Sequence, residues 1–298
     1  MREDMSTTQT ILVTGGSGQL ATSLSNIGGT RIHRVGRPEF DFDNPEAIAE
    51  LVRSIKPSAV VNGAAWTAVD LAESESEGAK RGNHTGPEEL AKACAEAGIP
   101  FIHVSTDYVF SGDKGSPYQE TDPTTPQTVY GRTKADGEQA VLAANPKTVI
   151  LRTAWVYSAH GKNFVKTMIN AGAKNPALKV VGDQHGNPTS SDDLAAAILA
   201  ILAKIENEGW QPHFAGIYHA AGTGETTWHG LAVAALDAAA EHGQKKPEVT
   251  AIRTEDWPTP AKRPQDSRLD CSKLERVFGV RLPAWEDSVQ QTVARLFA

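Results

Sequence analysis

Tyr130 and Lys134 are the side chains in this sequence whose types and spacing most directly suggest chemistry. Residues four apart on a helix lie on one face, so a helix through residues 129–134 would hold the ammonium beside the phenol. A neighbouring positive charge favours the phenolate and lowers the pKa of the phenol. Such a phenol can donate a proton to a carbonyl oxygen near neutral pH. The pair alone is a weak signal, because most such pairs are a surface tyrosine and a solvated lysine, so its interpretation depends on the elements around it.

A glycine turn near the start of the sequence predicts a phosphate-binding site. Residues 11–13 form a short apolar run, and Gly15, Gly16 and Gly18 follow it, directly before a helix-compatible stretch to about Asn26. Backbone N–H groups and the helix dipole can hold a pyrophosphate at such a turn, because glycine lets the backbone approach the phosphate closely. The spacing differs from a strict G-x-G-x-x-G, and a plain turn between strand and helix is the alternative.

The end of the next predicted strand, residues 31–35, bears on cofactor selectivity. NAD-selective folds place Asp or Glu there, on the ribose 2′-hydroxyl. This chain has Gly36 and Arg37 instead, with Arg34 close by. An arginine suits a 2′-phosphate. The sequence therefore predicts NADPH, with NADH as the alternative cofactor.

Two further apolar runs, residues 59–62 and 101–104, predict strands whose carboxyl ends share one edge of a sheet. The first leads into Gly63, Ala64 and Ala65, and the second delivers Ser105 and Thr106. Ligands of open parallel sheets bind at this edge. With a fifth strand at 148–151, the alternation of strands and helices predicts an α/β, Rossmann-type doubly wound parallel sheet.

The pattern loosens after about residue 162. Helices are predicted near 163–173, 191–206, 227–242 and 286–297, and short strands near 179–182, 216–220 and 249–252. The prolines between residues 253 and 270 favour loops that shape a pocket over a second core. We predict an NADP-binding Rossmann domain at 9–182 and a smaller, mainly substrate-binding C-terminal lobe at 183–298, packed with the first as one compact unit.

Composition excludes several classes of partner. The chain has 298 residues and a formal net charge of -7, which disfavours non-specific binding to nucleic acid. Its apolar runs fall short of the ~20 residues that a membrane-spanning helix needs. Residues 1–10 lack the apolar core of a signal peptide and predict a short disordered lead-in. Cys94 and Cys271 have no metal-ligand spacing. We expect a cytoplasmic protein without nucleic-acid or membrane partners.

An ordered set of short motifs resembles the extended short-chain dehydrogenase/reductase family over nearly the whole chain from residue 10. The matching stretches are Gly18-Gln19-Leu20, Asp41-Phe42, residues 67–70, residues 103–110, Tyr130-Gly131-x-Thr133-Lys134, residues 152–157, residues 183–189 and residues 263–269. Each motif is a modest signal, but the ordered set is specific. The resemblance is closest to members that reduce a nucleotide-linked 4-ketosugar.

The resemblance implies NADPH-dependent reduction of the C4 keto group of dTDP-4-dehydro-L-rhamnose to dTDP-L-rhamnose, a step toward cell-wall polysaccharide. Tyr130 would donate the proton, Lys134 would lower its pKa and bond the nicotinamide ribose, and Thr106 would bond the substrate carbonyl oxygen. The expected cofactor contacts are Gly15, Gly18, Gln19, Leu20, Arg37, Asp41, Phe42, Gly63, Ala64, Ala65, Thr67, Tyr130 and Lys134. The expected substrate contacts are Thr106, Asp107, Tyr108, Trp155 and Arg263. Trp155 as a core aromatic and Arg263 as a surface salt bridge are the alternatives.

Other proteins that resemble this chain have different functions. Nucleotide-sugar 4,6-dehydratases have a Thr-Asp-Glu motif at the position of residues 106–108, and their glutamate acts as the base. This chain has Tyr108 there, which cannot easily serve as that carboxylate. A 4-epimerase stays open, although the motifs beyond residue 150 oppose it. So does an NADP-binding regulatory module resembling the β subunit of methionine adenosyltransferase. Some relatives dimerise around a metal held by glutamates; the corresponding positions are Ser23 and Asp192, so we predict no metal and leave a homodimer open.

Overall fold

The computed structural model describes residues 9–298, and it contains the predicted strands together with several short strands and a helix at Ser272–Phe278 that were not predicted. The strands are β1 (Ile11–Thr14), β2 (Ile32–Val35), β3 (Ala59–Asn62), β4 (Phe101–Thr106), β5 (Thr148–Thr153), β6 (Val156–Tyr157), β7 (Ala177–Val181), β8 (His185–Gly186), β9 (Thr189–Ser190), β10 (Gly216–His219), β11 (Thr226–Thr227) and β12 (Glu248–Ile252). The α-helices are α1 (Gln19–Gly28), α2 (Pro45–Ile55), α3 (Val69–Ala72), α4 (Ser76–Lys80), α5 (Gly86–Glu96), α6 (Val129–Ala144), α7 (Phe164–Gly172), α8 (Ser191–Glu208), α9 (Trp228–Glu241), α10 (Ser272–Phe278) and α11 (Trp285–Leu296). A π-helical segment, Arg81–Thr85, joins α4 to α5. Except for its last two residues, the predicted lead-in lies outside the described part of the chain.

The main sheet has six strands in the order β10-β5-β4-β3-β1-β2, and each neighbouring pair is parallel. The chain runs from β1 outwards to β2 and then returns to the other side of β1 for β3, β4 and β5. The carboxyl ends of β1 and β3 therefore flank the point where the strand order reverses, which is where open sheets of this kind bind ligands. The predicted Rossmann-type parallel sheet is confirmed.

Both faces of the sheet are buried, which explains why its strands are almost continuously apolar. On one face Val13 of β1 packs with Leu24 of α1 and Ile198 of α8. On the other face Leu12 packs with Ile48 of α2 and with residues of α5 and α6. Burying a side chain of this size contributes about 1.5–3 kcal/mol, so the two layers hold the strand ends in fixed positions.

The sheets do not divide at the predicted boundary between residues 182 and 183. Strand β10 lies beyond the boundary and extends the main sheet beside β5, whereas β7 lies before it and pairs with β12. Helices α7, α9 and α11 share a separate apolar cluster around Val165, Leu231 and Val289, which the sequence pattern did not predict. The division of the chain into a cofactor-binding and a substrate-binding part stays a prediction.

No helix among residues 9–298 is long and apolar enough to cross a membrane.

Candidate active site

A cavity of about 950 Å³ lies at the carboxyl edge of the main sheet. It is bordered by the loops after β1, β2, β3 and β4, by the start of α6 and by the turn after β5. The predicted site residues that line it are Gly15, Gly18, Gln19, Leu20, Arg37, Asp41, Phe42, Gly63, Ala64, Ala65, Thr67, Thr106, Asp107, Tyr108, Tyr130, Lys134 and Trp155. Parallel strands present their carboxyl ends together, so residues far apart in sequence meet here. Among the predicted residues, Arg263 lies outside this lining.

The glycine loop at one end of the cavity has the geometry of a phosphate-binding turn. Gly15 has φ +112°, and a Cβ there would lie 3.0 Å from the carbonyl carbon of Gly63. The backbone N–H of Gly18 donates to the Gly15 carbonyl at 2.9 Å and closes the turn. Gly18 is also the N-cap of α1 and has no side chain to bond the first N–H groups of the helix. Those N–H groups and the positive end of the helix dipole can bind an anion.

Helix α6 places Tyr130 beside the turn that follows β4. The hydroxyl of Thr128 caps the helix by accepting from the Gly131 N–H at 3.0 Å. The exposed carboxylate of Glu73 accepts from the Val129 N–H at 2.8 Å and is a second cap of this helix. A Cβ on Gly131 would lie 2.2 Å from the carbonyl oxygen of Tyr108. Glycine is therefore required for the helix to approach this turn.

The expected lowering of the Tyr130 pKa is wrong for this structure. Burial raises the pKa of Tyr130 to about 12, although an interaction with the Thr106 hydroxyl acts in the opposite direction. The Lys134 ammonium donates to the carbonyl oxygen of Val104 at 2.6 Å. Burial lowers the pKa of Lys134 itself to about 8, and the Glu138 carboxylate opposes that shift. Desolvation of the phenol is the largest of the effects on its pKa.

A buried ion pair beneath Lys134 was missed by sequence reasoning. Glu138 lies one helical turn after Lys134, and its carboxylate receives Arg152 Nε at 2.9 Å and Nη2 at 2.7 Å. The hydroxyl of Ser105 donates to the same carboxylate at 2.5 Å. The side chains of Glu138 and Arg152 are 0% and 2% exposed. The four-residue spacing of Glu138 from Lys134 could have indicated that the two side chains share a helix face. It could not have indicated Arg152, the partner of Glu138, because Arg152 lies on β5.

Thr106 and Asp107 are buried polar residues at the end of β4 and are hydrogen-bonded to each other. The Thr106 hydroxyl donates to Asp107 Oδ1 at 2.9 Å and accepts from the Tyr108 N–H at 3.2 Å. Burial raises the pKa of Asp107 to about 6. Within residues 9–298, Asp107 Oδ2 has no hydrogen-bond partner. The Tyr108 and Tyr130 rings meet edge to face, with centroids 5.5 Å apart.

Trp155 and Trp228 form a stacked pair in the wall of the cavity. Their ring centroids are 3.7 Å apart and their planes differ by 11°. Trp155 has φ +49°, which is unusual for a residue other than glycine and costs of order 1–3 kcal/mol. The stacking offsets part of this cost and holds the ring in place. No short sequence spacing connects the two residues, so sequence reasoning did not find Trp228.

Arg263 takes part in a salt bridge between two loops. Its Nη2 donates to Asp70 Oδ2 at 2.7 Å, and the Ala261 N–H donates to the other oxygen of the same carboxylate at 3.1 Å. This is the salt-bridge alternative that the sequence left open. A role of Arg263 as a substrate contact stays a prediction.

The two positions aligned with metal-binding glutamates make contacts within the chain. The hydroxyls of Ser23 and Ser191 lie 2.7 Å apart between α1 and α8. Asp192 forms an ion pair with Arg295 of α11. Both the absence of a metal and the homodimer stay predictions.

The sheet order, the glycine loop and the Tyr130–Lys134 pair at one cavity define a Rossmann-type protein of the short-chain dehydrogenase/reductase class. A sequence model of the family described as the RmlD substrate binding domain matches residues 9–297. A dTDP-4-dehydrorhamnose reductase from Sinorhizobium fredii is 44% identical over 95% of this chain and 96% of its own length. The chain belongs to this family.

Solved structures agree with this assignment. The crystal structure of a dTDP-4-dehydrorhamnose reductase from Clostridium acetobutylicum has a TM-score of 0.88 and 37% identity, covering 97% of this chain and 100% of that one. The same enzyme from Bacillus anthracis, solved in complex with NADP, has a TM-score of 0.87 and 31% identity, covering 96% and 99%.

Proposed function

We propose that the protein reduces the C4 keto group of dTDP-4-dehydro-L-rhamnose to dTDP-L-rhamnose with NADPH. The observation that carries this proposal is the convergence of Thr106, Tyr130 and Lys134 on the cavity that also holds the glycine loop. The similarity to dTDP-4-dehydrorhamnose reductases supports the assignment of the substrate. The NADP complex of one similar structure supports the assignment of the cofactor.

The cavity fits a nicotinamide dinucleotide along its length. The pyrophosphate would lie at the N-terminus of α1, where Gly18 leaves the first N–H groups of the helix without a side-chain cap. Gly63, Ala64 and Ala65 leave room for the ribose at the end of β3. Lys134 lies close enough to the end of β4 to bond ribose hydroxyls as well as the Val104 carbonyl. The bound cofactor supplies a hydride to the ketosugar.

Thr106 and Tyr130 act on the oxygen where negative charge develops. Hydroxyl donors fixed at that position stabilise the charge most during the reaction itself. With a pKa raised to about 12, the Tyr130 phenol is protonated at neutral pH, as a proton donor must be. Lys134, with a pKa lowered to about 8, is mostly charged at pH 7 and stabilises the phenolate left by proton transfer.

Asp107 and the tryptophan pair orient the sugar. The free Oδ2 of Asp107 accepts a hydrogen bond from a sugar hydroxyl, which removes the cost of leaving a buried acceptor unpaired. The stacked rings of Trp155 and Trp228 offer a flat apolar surface to the deoxysugar ring.

The proposal is tested by NADPH oxidation with dTDP-4-dehydro-L-rhamnose generated in place by the upstream epimerase. We expect oxidation that depends on the ketosugar and yields dTDP-L-rhamnose, identified by mass and chromatography against the C4 epimer. Isomerisation without net NADPH oxidation would indicate a 4-epimerase. Tight NADPH binding without turnover on this or other nucleotide ketosugars would indicate a regulatory module. Either of these two results would refute the reductase.

A further inference from the structure

Four charged side chains form a network at the end of the cavity that faces the loop after β2. These are Arg37, Asp41, Asp43 and Arg81, and all four line the cavity. The loop that carries Arg37, Asp41 and Asp43 begins at the end of β2, where the Val35 carbonyl accepts from the Gly16 N–H of the glycine turn at 2.8 Å. In this class of fold, the residues after the second strand meet the 2′-position of the adenosine ribose. The network therefore lies where NADPH and NADH differ.

The two arginines share the two carboxylates unequally. Arg37 bonds Asp41 with two nitrogens, at 2.7 Å and 3.1 Å, and lies 3.6 Å from Asp43. Arg81 bonds the other oxygen of Asp43 at 2.6 Å. Asp43 thus stands between two guanidinium groups. Arg81 begins the π-helical segment after α4, so it comes from a part of the chain far from β2.

We propose that Arg81 joins Arg37 in binding the 2′-phosphate of NADPH and that Asp43 opposes this binding as their counter-ion. This inference rests on the cofactor site of the proposed function. A phosphate dianion must compete with the Asp43 carboxylate for both guanidinium groups. A 2′-hydroxyl of NADH can instead donate to that carboxylate. Arg81 therefore raises selectivity for NADPH, and Asp43 lowers it.

The network is partly solvated, which limits the size of these effects. Arg81 and Asp43 are each 53% exposed. A charge-assisted bond to phosphate is worth about tenfold in affinity at such a site, and salt screens it. We expect Arg81→Gln to weaken NADP⁺ about tenfold and NAD⁺ less than twofold. Asp43→Asn should strengthen the binding of NADP⁺ about threefold, and it should not strengthen the binding of NAD⁺.

The experiment is calorimetric titration of the full chain with NADP⁺ and with NAD⁺, without ketosugar, so that binding is measured apart from turnover. Arg53→Gln is the matched control, because Arg53 is an exposed arginine of α2 paired with Glu50 outside the cavity lining. The control should bind both cofactors as the unchanged chain does. Repeating the titrations at high salt should reduce the difference between NADP⁺ and NAD⁺.

Equal weakening of both cofactors by Arg81→Gln would overturn the inference, as would weaker NADP⁺ binding by Asp43→Asn. Both variants replace half-exposed side chains, and far-UV circular dichroism checks their fold. If the unchanged chain binds neither NADP⁺ nor NAD⁺, the proposed function itself fails. This result differs from failure of the inference alone, in which the unchanged chain binds cofactor but the variants alter NADP⁺ and NAD⁺ binding equally. Selective effects of opposite sign would support the assignment.

Discussion

Glu138→Gln tests the buried ion pair beneath the proposed proton donor. The substitution keeps the side-chain shape but leaves the Arg152 guanidinium, 2% exposed, without its counter-charge. Removing one partner of a buried pair costs about 3–5 kcal/mol, and the remaining amide oxygen favours the lower end. A loss of about 3 kcal/mol should reduce Tm by roughly 5 °C, because the unfolding entropy grows with chain length.

The same substitution should also change the pH dependence of turnover. The Glu138 carboxylate raises the pKa of Lys134 against the lowering effect of burial. Without that charge the pKa of Lys134 falls further below about 8, so its ammonium is lost at lower pH. Turnover that requires the charged lysine should therefore fall off at lower pH in the variant than in the unchanged protein.

Thermal unfolding and a pH profile of kcat measure the two effects separately. Glu50→Gln is the control, since Glu50 pairs with Arg53 on the exposed face of α2 and such pairs contribute about 0–1 kcal/mol. A Tm as high as that of the control would refute the stabilising role of the pair. An unshifted alkaline limb with a lowered Tm would leave Glu138 a structural residue and refute its coupling to Lys134.

Three further outcomes are expected. Tyr130→Phe should lower kcat at least about 100-fold, because a positioned proton donor contributes about 10²–10⁴-fold, while NADP⁺ binding measured by calorimetry changes little; unchanged turnover would remove its assigned role. Arg37→Ala should weaken NADP⁺ several-fold more than NAD⁺, and an equal loss in paired titrations would contradict phosphate selectivity. Trp228→Ala should raise KM for the ketosugar about tenfold and abolish the near-UV dichroism of the stacked indoles; loss of that dichroism with an unaltered KM would exclude the pair from the sugar site.

Local sequence patterns were sufficient for five of the six strands of the main sheet, and the family resemblance supplied most of the predicted cavity residues. Short apolar runs that alternate with helical segments are typical of a parallel sheet covered by helices on both faces, so β1, β3 and β4 were predictable. Parallel strands then bring their carboxyl ends to one edge. This is why Gly15, Gly63 and Thr106 could be assigned to one cavity before any contact was known. The nearby start of α6 follows from its cap at Thr128.

Tertiary packing decided the features that depend on partners distant in sequence. Glu138 meets Arg152, Trp155 meets Trp228 and Asp43 meets Arg81 because separate elements dock against each other. The strand β10 enters the main sheet from beyond the predicted boundary for the same reason.

The Tyr130 pKa illustrates the physical difference. A four-residue spacing predicts a positive charge beside the phenol, which would lower its pKa, but desolvation depends on every element packed around the ring. In the folded chain desolvation is the larger effect and raises that pKa. Sequence therefore determined which groups meet at the cavity, whereas the packed structure determined their protonation, their ion-pair partners and their orientation.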